Sequence, residues 1–425
     1  MTVELISVGT ELLLGNIVNT NANYLSKKCA ILGLSLFYQI TVGDNKDRLE
    51  SVLSQALSRS DILIITGGLG PTQDDITKET VAKVLKRELI LDEESKQRIK
   101  NYFYQFHSKK STDDKDPVEI ISENNWKQAL KIDGSIVIDN HNGTAPGYIV
   151  EDSGKVVILL PGPPNELIPM VEDAIFPYLK KLQDKVFVTK MVKVCGIGES
   201  RAETKVLDLI EGQGNPTIAP YAKSGEVHFR ITASAENQEE AERLIEPVIE
   251  EFYHRFGDNI YTISEEETLE EVVVKLLKKK QYSLVTAESC TAGLLSARLV
   301  NVPGISGIFN EGFTTYSNQA KVKHLGVKEE TLEKYGAVSP QTAKEMAEGA
   351  ALRTNSDTAL AITGIAGPGG GTEEKPVGLV YISCYVRGET LVKECYFKGS
   401  RQKVREQSVI NALDLLRRSL LNSDY

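Results

Sequence analysis

The chain has few of the features that mark secreted, zinc-binding or membrane-embedded proteins. Its 425 residues include five cysteines, and no two of them form a C-x-x-C pair. Such an odd, scattered set argues against both a disulfide framework and a cysteine zinc site. No apolar run is long enough to span a membrane, and the opening residues look like a strand rather than a signal peptide. We therefore expect a cytoplasmic protein with no membrane partner.

Basic surface charge and a phosphate-binding P-loop are also missing. The formal net charge is -10, whereas surfaces that bind nucleic acid are usually basic, so we expect no direct contact with nucleic acid. The chain contains no G-x-x-x-x-G-K-[ST] sequence, which excludes a P-loop. Small phosphorylated ligands are still compatible with this charge, because glycine loops and helix N-termini bind anions without net positive charge.

The order of predicted elements indicates an α/β protein of several domains, since 425 residues exceed one ordinary core. From residue 1 to about 180 strands alternate with helices, which predicts a doubly wound, three-layer α/β domain. Residues 185–257 predict a small α+β module. Residues 264–425 open with a capping-box pattern and predict a C-terminal α/β domain. The polar stretch 109–117 predicts a loop.

A serine and a lysine form the most informative pair in the C-terminal part. Ser289 lies in the segment TAESCTAG (286–293), between a predicted strand and a predicted helix, and Lys321 follows in a second polar stretch. A serine hydroxyl needs an adjacent base, which a neutral lysine can supply. His324 lies three residues from Lys321, on the same face of a predicted helix, and is the rival base. Cys290 is the rival nucleophile, because thiols at helix N-termini become thiolates. The simpler alternative is that Ser289 caps a helix and Lys321 is solvated. Together with the glycine-rich loop at 363–371, the pattern favours a hydrolase of amide or ester bonds.

A glycine loop follows the most apolar strand of the N-terminal part. Three glycines between residues 67 and 70 come directly after the strand 61–66, where glycine lets the backbone approach a phosphate closely. Asp74 and Asp75 follow, and Asp44 ends another predicted strand. Such carboxylates suit a hard divalent cation held together with substrate phosphates. The alternative for Asp74 is a helix N-cap, which requires no metal.

Two weaker polar segments accompany this loop. Asn19 opens the first predicted helix and is equally well explained as a helix cap. Gly143 and Thr144 form a turn that is suited to wall the same crevice, beyond the carboxyl ends of the strands. The single tryptophan, Trp126, fits a core position better than a stacking platform.

These motifs resemble the CinA family along the whole chain. The segments GTELL (9–13), TGGLGPT (66–72) with Asp74 and Asp75, and GTAPG (143–147) are similar to its molybdopterin-binding-type domain. The segments ESCT (288–291), YSN (316–318) with Lys321, GIAGP (364–368) and EKPVG (374–378) are similar to its C-terminal domain, a nicotinamide mononucleotide amidohydrolase.

For the C-terminal domain, the resemblance implies conversion of nicotinamide mononucleotide to nicotinate mononucleotide and ammonia, without a cofactor. Ser289 would be the nucleophile and Lys321 its base, and Tyr316 and Thr363 would help position or protonate. Arg401 or Arg405 would meet the substrate phosphate. The implied substrate contacts are Thr286, Glu288, Cys290, Thr291, Gly364, Ala366, Gly367, Gly369 and Arg401.

For the N-terminal domain, the resemblance implies hydrolysis of ADP-ribose to AMP and ribose 5-phosphate with a divalent metal (Mg, Co or Mn) bound by Asp44, Asp74 and Asp75. The implied substrate contacts are Asn19, Thr66, Gly67, Gly68, Gly70, Thr72, Gly143 and Thr144. Family members are typically homodimers. The alternative is a domain that binds a pterin or nucleotide without chemistry, in a protein linked to competence or DNA damage.

The sequence departs from the family pattern in two places. Ala292 stands where the family usually has the first of two glycines after Glu-Ser-Cys-Thr. The stretch 125–134 keeps Lys127 and Gln128 but lacks the proline expected before its acidic-glycine pair. The second departure affects one predicted wall of the N-terminal site.

Overall fold

The computed structural model describes residues 1–108 and 121–422, and the chain divides into two compact units. The first unit comprises Met1–Phe187 with Ser234–Gln238, and the second comprises Val188–Ala233 with Glu239–Tyr425. The loop predicted at 109–117 lies outside the described residues.

The first unit is built on eight strands and seven helices among its described residues. The strands are β1 (Thr2–Val8), β2 (Ser35–Val42), β3 (Ile62–Thr66), β4 (Leu89–Leu91), β5 (Leu130–Ile132), β6 (Ile136–Ile138), β7 (Gly147–Asp152) and β8 (Lys155–Leu160). The helices are α1 (Thr10–Leu13), α2 (Thr20–Ile31), α3 (Lys46–Arg59), α4 (Thr77–Val84), α5 (Glu93–Ser108), α6 (Pro164–Met170) and α7 (Phe176–Lys181). A 3₁₀ turn covers Glu123–Ala129, and a π turn covers Val171–Ile175.

Six of these strands form one sheet in the order β2-β1-β3-β8-β7-β6. Strands β2, β1, β3 and β8 are parallel, and β7 runs antiparallel to both β8 and β6. Because parallel strands end at the same edge, the segments that follow β1, β3 and β8 meet at one side of the sheet. The glycine loop predicted to bind phosphate follows β3 and therefore lies at this edge.

Both faces of this sheet are covered by helices, as alternating side chains require. On β1, Val3 and Leu5 pack into a cluster with α2, α6 and α7, whereas Ile6 and Val8 pack into a second cluster with α3 and α4. A strand that is apolar on both faces is typical of a parallel sheet between two helical layers. The predicted three-layer, doubly wound domain is confirmed. Trp126 packs against a small buried cluster around Ile99, as its predicted core position requires.

The second unit begins with a small α+β module. Its strands are β9 (Val186–Cys195), β10 (Thr217–Lys223), β11 (Glu226–Ala235) and β12 (Ile260–Thr262), in the sheet order β10-β11-β9-β12. Its helices are α8 (Glu199–Thr204), α9 (Leu207–Glu211) and α10 (Gln238–Phe256), and a 3₁₀ turn covers Gly257–Asn259. Phe229 on β11 contacts Phe252 and Phe256 on α10 at ring-centroid distances of 5.2 and 5.7 Å, which joins the helix to the sheet.

The rest of the second unit is an α/β domain around a five-stranded sheet. The strands are β13 (Leu284–Glu288), β14 (Phe309–Thr314), β15 (Thr358–Gly364), β16 (Leu379–Val386) and β17 (Glu389–Tyr396), in the order β14-β13-β15-β16-β17. The helices are α11 (Leu269–Lys280), α12 (Leu294–Val300), α13 (Asn318–Ala320), α14 (Glu329–Tyr335), α15 (Pro340–Thr354) and α16 (Arg401–Asn422). A 3₁₀ turn covers Ile305–Gly307, and a π turn covers Lys321–Leu325. The predicted C-terminal α/β architecture is confirmed.

Helix α16 joins the α+β module to this domain through a buried polar cluster. The Asp414 carboxylate accepts hydrogen bonds from Arg417 at 2.7 Å, Arg418 at 2.8 Å and the Cys195 thiol at 3.0 Å. Arg417, 2% exposed, also donates to the Ile260 carbonyl. Burial opposes ionisation of Asp414, but the arginines hold its pKa below its usual range. The cluster is therefore a charged, satisfied contact between the two parts of this unit. Within the described ranges, no helix combines the length and apolar character needed to cross a bilayer.

Candidate functional site

Ser289 is held at the end of β13 by the neighbouring strand. Its backbone N–H donates to the Ile362 carbonyl on β15 at 2.9 Å, so the residue continues the sheet before the chain turns toward α12. Its side chain is 8% exposed. The turn that follows has Ala292 at φ 50° and Gly293 at φ 90°, both in the left-handed region. These two residues reverse the chain within one turn, so Ser289 lies between a buried strand and the start of a helix.

Lys321 is the partner of Ser289. Its Nζ atom lies 3.1 Å from the Ser289 Oγ atom and donates to the carbonyls of Thr315 at 2.9 Å and Tyr316 at 3.3 Å. Lys321 is 1% exposed, and burial lowers its pKa to about 8. The two carbonyls can take both N–H bonds of a neutral amine, which leaves the nitrogen lone pair for the serine proton. The geometry is that of a nucleophile and its base.

The two rival assignments lose support from this geometry. Cys290 is 5% exposed, and burial raises the pKa of its thiol to about 11 although Lys321, Arg401 and Arg405 act in the opposite direction. The thiol therefore stays protonated at neutral pH, contrary to the expectation that a helix N-terminus yields a thiolate. His324 is exposed while Lys321 is buried, so the expectation that they share a helix face is wrong. The π turn at Lys321–Leu325 departs from the α-helical spacing on which that expectation depended.

Two arginines contact the segments on either side of the Ser289–Lys321 pair. Arg401 donates to the Gly367 carbonyl at 2.7 Å and to the Tyr316 hydroxyl at 3.1 Å. Arg405, one turn further along α16, donates to the Thr291 carbonyl at 2.7 Å, and its Nε atom is buried without a hydrogen-bond partner among the described residues. The two guanidinium groups supply positive charge that suits an anionic ligand.

A second candidate site lies at the carboxyl edge of the N-terminal sheet. A cleft of about 430 Å³ is bordered by the predicted residues Asp44, Gly67, Gly68, Gly70, Asp74, Asp75, Gly143 and Thr144. A neighbouring cleft of about 290 Å³ is bordered by Asn19 and Thr66. Val8, Glu11, Gly162 and Pro163 border both, so the two clefts adjoin, and together they are called the N-terminal groove. The structure thus brings together most of the residues predicted for this site.

The glycine loop has its predicted backbone shape. Gly67 has φ 95°, and a Cβ atom there would lie 2.2 Å from the Val8 carbonyl oxygen. Gly68 has φ 66°, and a Cβ atom there would lie 2.2 Å from the Thr77 hydroxyl oxygen. Both positions therefore require glycine, and both border the larger cleft.

The three aspartates predicted to bind metal are held by threonines. Thr10 donates to the Asp44 carboxylate from its backbone N–H at 2.9 Å and from its hydroxyl at 2.7 Å. Thr72 donates its backbone N–H to Asp75 at 2.9 Å and lies in hydrogen-bond contact with Asp74. The Thr72 hydrogen bond lowers the pKa of Asp74, which keeps that carboxylate charged.

A protein-only metal site is not formed by these residues. In the described part of the chain, no three His, Cys, Asp or Glu side chains are grouped as a metal ion would require. Asp74 and Asp75 nevertheless border the groove beside the glycine loop. Magnesium is commonly held by one or two carboxylates together with substrate phosphates, and the pair fits that mode of binding.

Comparisons with known proteins cover the whole chain. Residues 4–181 match the model of a probable molybdopterin binding domain, 189–262 that of the damage-inducible protein CinA KH domain, and 266–420 that of the CinA C-terminal domain. The chain is 53% identical to a CinA-like protein of Kosmotoga olearia, over 99% of both chains. It is 52% identical to a competence-damage inducible protein of Clostridium beijerinckii, over 99% of this chain and 100% of that one.

The chain belongs to the CinA family. A crystal structure of the competence/damage inducible protein CihA from Agrobacterium tumefaciens is 43% identical, covering 36% of this chain and 94% of that one, with a TM-score of 0.35. The domain boundaries proposed above from the sequence stay a prediction.

Several residues predicted to contact substrate in the CinA C-terminal domain are instead part of its interior. Glu288 is fully buried, and its carboxylate accepts the backbone N–H groups of Gly293, Leu295 and Ser296 at 2.9 to 3.0 Å. Thr286 is fully buried and hydrogen-bonded to the Ser296 hydroxyl at 2.8 Å. These two side chains hold the start of α12 behind Ser289, so their predicted contact with substrate is corrected to a supporting position.

Three further predictions in the same domain change in a similar way. Thr363 is 1% exposed and donates its hydroxyl to the Ala337 carbonyl at 2.7 Å, which leaves it no proton for the substrate. Ala366 is 3% exposed and belongs to the main hydrophobic cluster. Gly364 is close to β16, where a Cβ atom would lie 2.8 Å from the Leu379 carbonyl oxygen. These three residues therefore pack against other parts of the domain instead of making the predicted substrate contacts.

The other residues predicted for this site have varied surroundings. Tyr316 is 59% exposed and bonded to Arg401, and the Gly367 carbonyl holds the same arginine. Gly369 faces open space. Thr291 is fully buried, and its hydroxyl has no hydrogen-bond partner in the described chain.

In the N-terminal site, Asn19 has both predicted positions, as a helix cap and at the border of the groove. It caps α2 by accepting the Ala22 N–H at 3.0 Å, and it borders the groove.

Three further groups that were not predicted as substrate or metal contacts border these sites. The Thr315 carbonyl accepts a hydrogen bond from Lys321. In the sequence, the position of Thr315 beside Tyr316 was the only indication of this role. Gln128 donates to the Leu69 carbonyl at 3.1 Å, so the wall built by 125–134 is present without the expected proline. Glu166 borders the larger cleft in the first turn of α6. No sequence motif pointed to it.

Proposed function

We propose that the C-terminal domain hydrolyses nicotinamide mononucleotide to nicotinate mononucleotide and ammonia. The observation that carries the proposal is the 3.1 Å separation between the Ser289 Oγ atom and the buried Nζ atom of Lys321. The family resemblance supplies the substrate. Arg401 and Arg405 supply positive charge for the phosphate of this substrate. The serine nucleophile would attack the carbonyl carbon of its uncharged carboxamide.

The proposed reaction has two steps, acylation of Ser289 and hydrolysis of the resulting ester. Ser289 Oγ attacks the carboxamide carbon while Lys321 takes the hydroxyl proton, and the C–N bond then breaks as Lys321 returns this proton to the leaving nitrogen. Ammonia departs and leaves a nicotinoyl ester on Ser289. Water then attacks the ester with Lys321 again as base, which releases the carboxylate and restores the serine.

Product analysis tests this proposal. Purified protein incubated with nicotinamide mononucleotide is expected to give nicotinate mononucleotide and ammonia in equal amounts, quantified by liquid chromatography and an ammonia assay. Release of free nicotinamide and ribose 5-phosphate would mean cleavage of the glycosidic bond and would contradict an amidase.

We infer that the N-terminal groove hydrolyses ADP-ribose to AMP and ribose 5-phosphate with a divalent metal. The glycine loop at 67–70 supports the inference because its glycines border the cleft and let the backbone approach a pyrophosphate closely. Asp74 and Asp75 would hold the metal together with the substrate, and the bound ion would neutralise phosphate charge. The groove comprises two adjoining clefts of about 430 and 290 Å³, which suit the two halves of a dinucleotide-like ligand.

Non-catalytic binding is the second candidate for this groove. Two observations favour it: the described residues lack a group of three metal ligands, and the segment matches a probable molybdopterin binding domain. Incubating the protein with ADP-ribose and Mg²⁺, Mn²⁺ or Co²⁺ separates the two. AMP formation supports the hydrolase, whereas calorimetric binding without AMP under all three metals supports a binding module.

A further inference from the structure

Glu166 occupies a position in the N-terminal groove that the proposed metal and phosphate contacts leave unused. It lies in the first turn of α6, just after the Pro161–Gly162–Pro163 turn that follows β8. That turn packs on the glycine loop, since a Cβ atom at Gly162 would lie 3.7 Å from the Gly67 Cα atom. Glu166 borders the same cleft as Asp74 and Asp75. It therefore lies beside the place where a pyrophosphate would bind.

The Glu166 carboxylate is held in one orientation. Asn140 donates to its Oε2 atom at 2.6 Å and to the Ala145 carbonyl at 2.8 Å, which fixes the amide between the two. Gly143 packs so closely on the carboxylate that a Cβ atom there would lie 2.3 Å from Oε2. Among the described residues, the Oε1 atom accepts no hydrogen bond. One oxygen is thus anchored, and the other is free to accept a proton.

No cation neutralises this carboxylate in the described chain. The ionisable groups that border the same cleft are Glu11, Asp44, Asp74, Asp75 and Tyr102, none of them basic. Burial raises the pKa of Glu166, although the Asn140 hydrogen bond opposes the rise. Asp74 differs, because Thr72 lowers its pKa. Two carboxyl groups in one cleft are thus set for different tasks: one to stay charged and one to exchange a proton.

We propose that Glu166 is the general base of the N-terminal groove, accepting the proton of the water that attacks the phosphoanhydride. The inference rests on the proposed hydrolysis of ADP-ribose. The water oxygen forms a bond to one phosphorus, and the bond from that phosphorus to the bridging oxygen breaks. The proton that Glu166 accepts leaves to solvent when the departing phosphate is released. Asn140 is a positioning residue that orients the carboxylate.

A purely structural role for Glu166 makes a different prediction. The contact with Asn140 ties the 139–146 loop to α6, so its loss alone would loosen the wall of the groove. Glu166→Gln keeps an oxygen that accepts from Asn140 but removes the group that takes a proton. This variant therefore separates chemistry from support.

Steady-state hydrolysis of ADP-ribose with Mg²⁺, Mn²⁺ or Co²⁺ tests the proposal, using wild type, Glu166→Gln and the exposed control Glu93→Gln. We expect Glu166→Gln to lower kcat by about 10²- to 10⁴-fold with KM changed only a few-fold. Wild-type kcat should fall as pH drops through the raised Glu166 pKa, and this acidic limb should disappear in Glu166→Gln. The control should match wild type.

Three outcomes would overturn the proposal. If Glu166→Gln retains wild-type kcat and its acidic limb, the groove is a hydrolase without Glu166 as base. If only KM rises, Glu166 binds substrate instead. If wild type itself forms no AMP with any of the three metals, both the proposed hydrolysis and the base assignment fail, and the ammonia assay of the C-terminal domain is unaffected.

Discussion

At the scale of single residues, the burial of Lys321 sets the conditions for the proposed amidase. Lys321 is 1% exposed, and the described partners of its Nζ atom are the Ser289 hydroxyl and two backbone carbonyls, none of them a carboxylate. Its ammonium form is therefore penalised, and its pKa is lowered to about 8. A lysine in such a position is a base near neutral pH, which a solvated lysine is not.

The rate of ammonia release should consequently rise with pH. Lys321 is active when neutral, so kcat for nicotinamide mononucleotide is expected to increase about tenfold per unit below its pKa and to level off above about 8. A pH–rate profile between 6 and 10 checks this. A profile that is flat from 6 to 9 would contradict the assignment of Lys321 as base.

The same burial makes a prediction about stability. The folded-state pKa lies below the unfolded one, so the unfolded chain binds more protons between about pH 8 and 10, and stability rises with pH there. At pH 7, Lys321→Met removes the penalty at the cost of the hydrogen bonds to two carbonyls. We expect the free energy of unfolding to rise by about 1 kcal/mol while activity is lost. Urea denaturation at pH 7 measures the change, and marked destabilisation would contradict the account.

Ala292 shows how a family departure is accommodated. Its φ of 50° lies in the left-handed region, where a residue with a Cβ atom costs about 1 kcal/mol relative to glycine. Ala292→Gly should therefore raise the stability of the domain by up to ~1 kcal/mol without reducing ammonia release. Thermal denaturation of both proteins checks this, with Ala297→Gly inside α12 as a control that should destabilise. A melting temperature below that of wild type for Ala292→Gly would contradict the inference that the backbone at Ala292 is strained.

At the scale of elements, α16 has two functions. Its first turns carry Arg401 and Arg405 toward the Ser289 site, and Asp414 further along anchors the α+β module. Because the Asp414 cluster is buried, removing one partner leaves the charge of Arg417 uncompensated.

Asp414→Ala is therefore expected to destabilise the second unit by about 3 to 5 kcal/mol. Glu406→Ala on the same helix should change stability by no more than about 0.5 kcal/mol, because the described partner of its carboxylate is the exposed Gln402. Chemical denaturation compares the two variants. Equal, small effects would mean that the cluster contributes little to holding the module.

Elements were also the level at which the sequence was most informative. The apolar run 61–66 and the glycines after it predicted a parallel strand that ends in a ligand-binding loop. Such features can be predicted because they depend on the pattern of residues within a short segment. Side-chain roles depended on distant partners. Glu166 is set by Asn140, 26 residues away, and Glu288 by the start of α12. Local patterns do not contain those contacts, nor the π turn that separates His324 from Lys321.

At the scale of the whole molecule, the two candidate sites are built from different units. The residues around Ser289 all belong to the second unit, and the residues of the N-terminal groove all belong to the first. The predicted homodimer and the absence of nucleic-acid contact stay predictions.

Changes in one site should therefore leave the other working. Ser289→Ala is expected to keep the wild-type rate of AMP formation from ADP-ribose, and Asp74→Ala is expected to keep the wild-type rate of ammonia release. Both assays on both variants give the comparison. Loss of the two activities together in either folded variant would show that the sites depend on each other.

Ammonia release from nicotinamide mononucleotide by wild type, Ser289→Ala and Cys290→Ala tests the central claim most directly. The account predicts release by wild type and by Cys290→Ala, and a loss of at least ~10³-fold in Ser289→Ala. Circular dichroism confirms that each variant is folded. Release that survives in Ser289→Ala but disappears in Cys290→Ala would contradict the serine–lysine mechanism and assign the chemistry to the thiol.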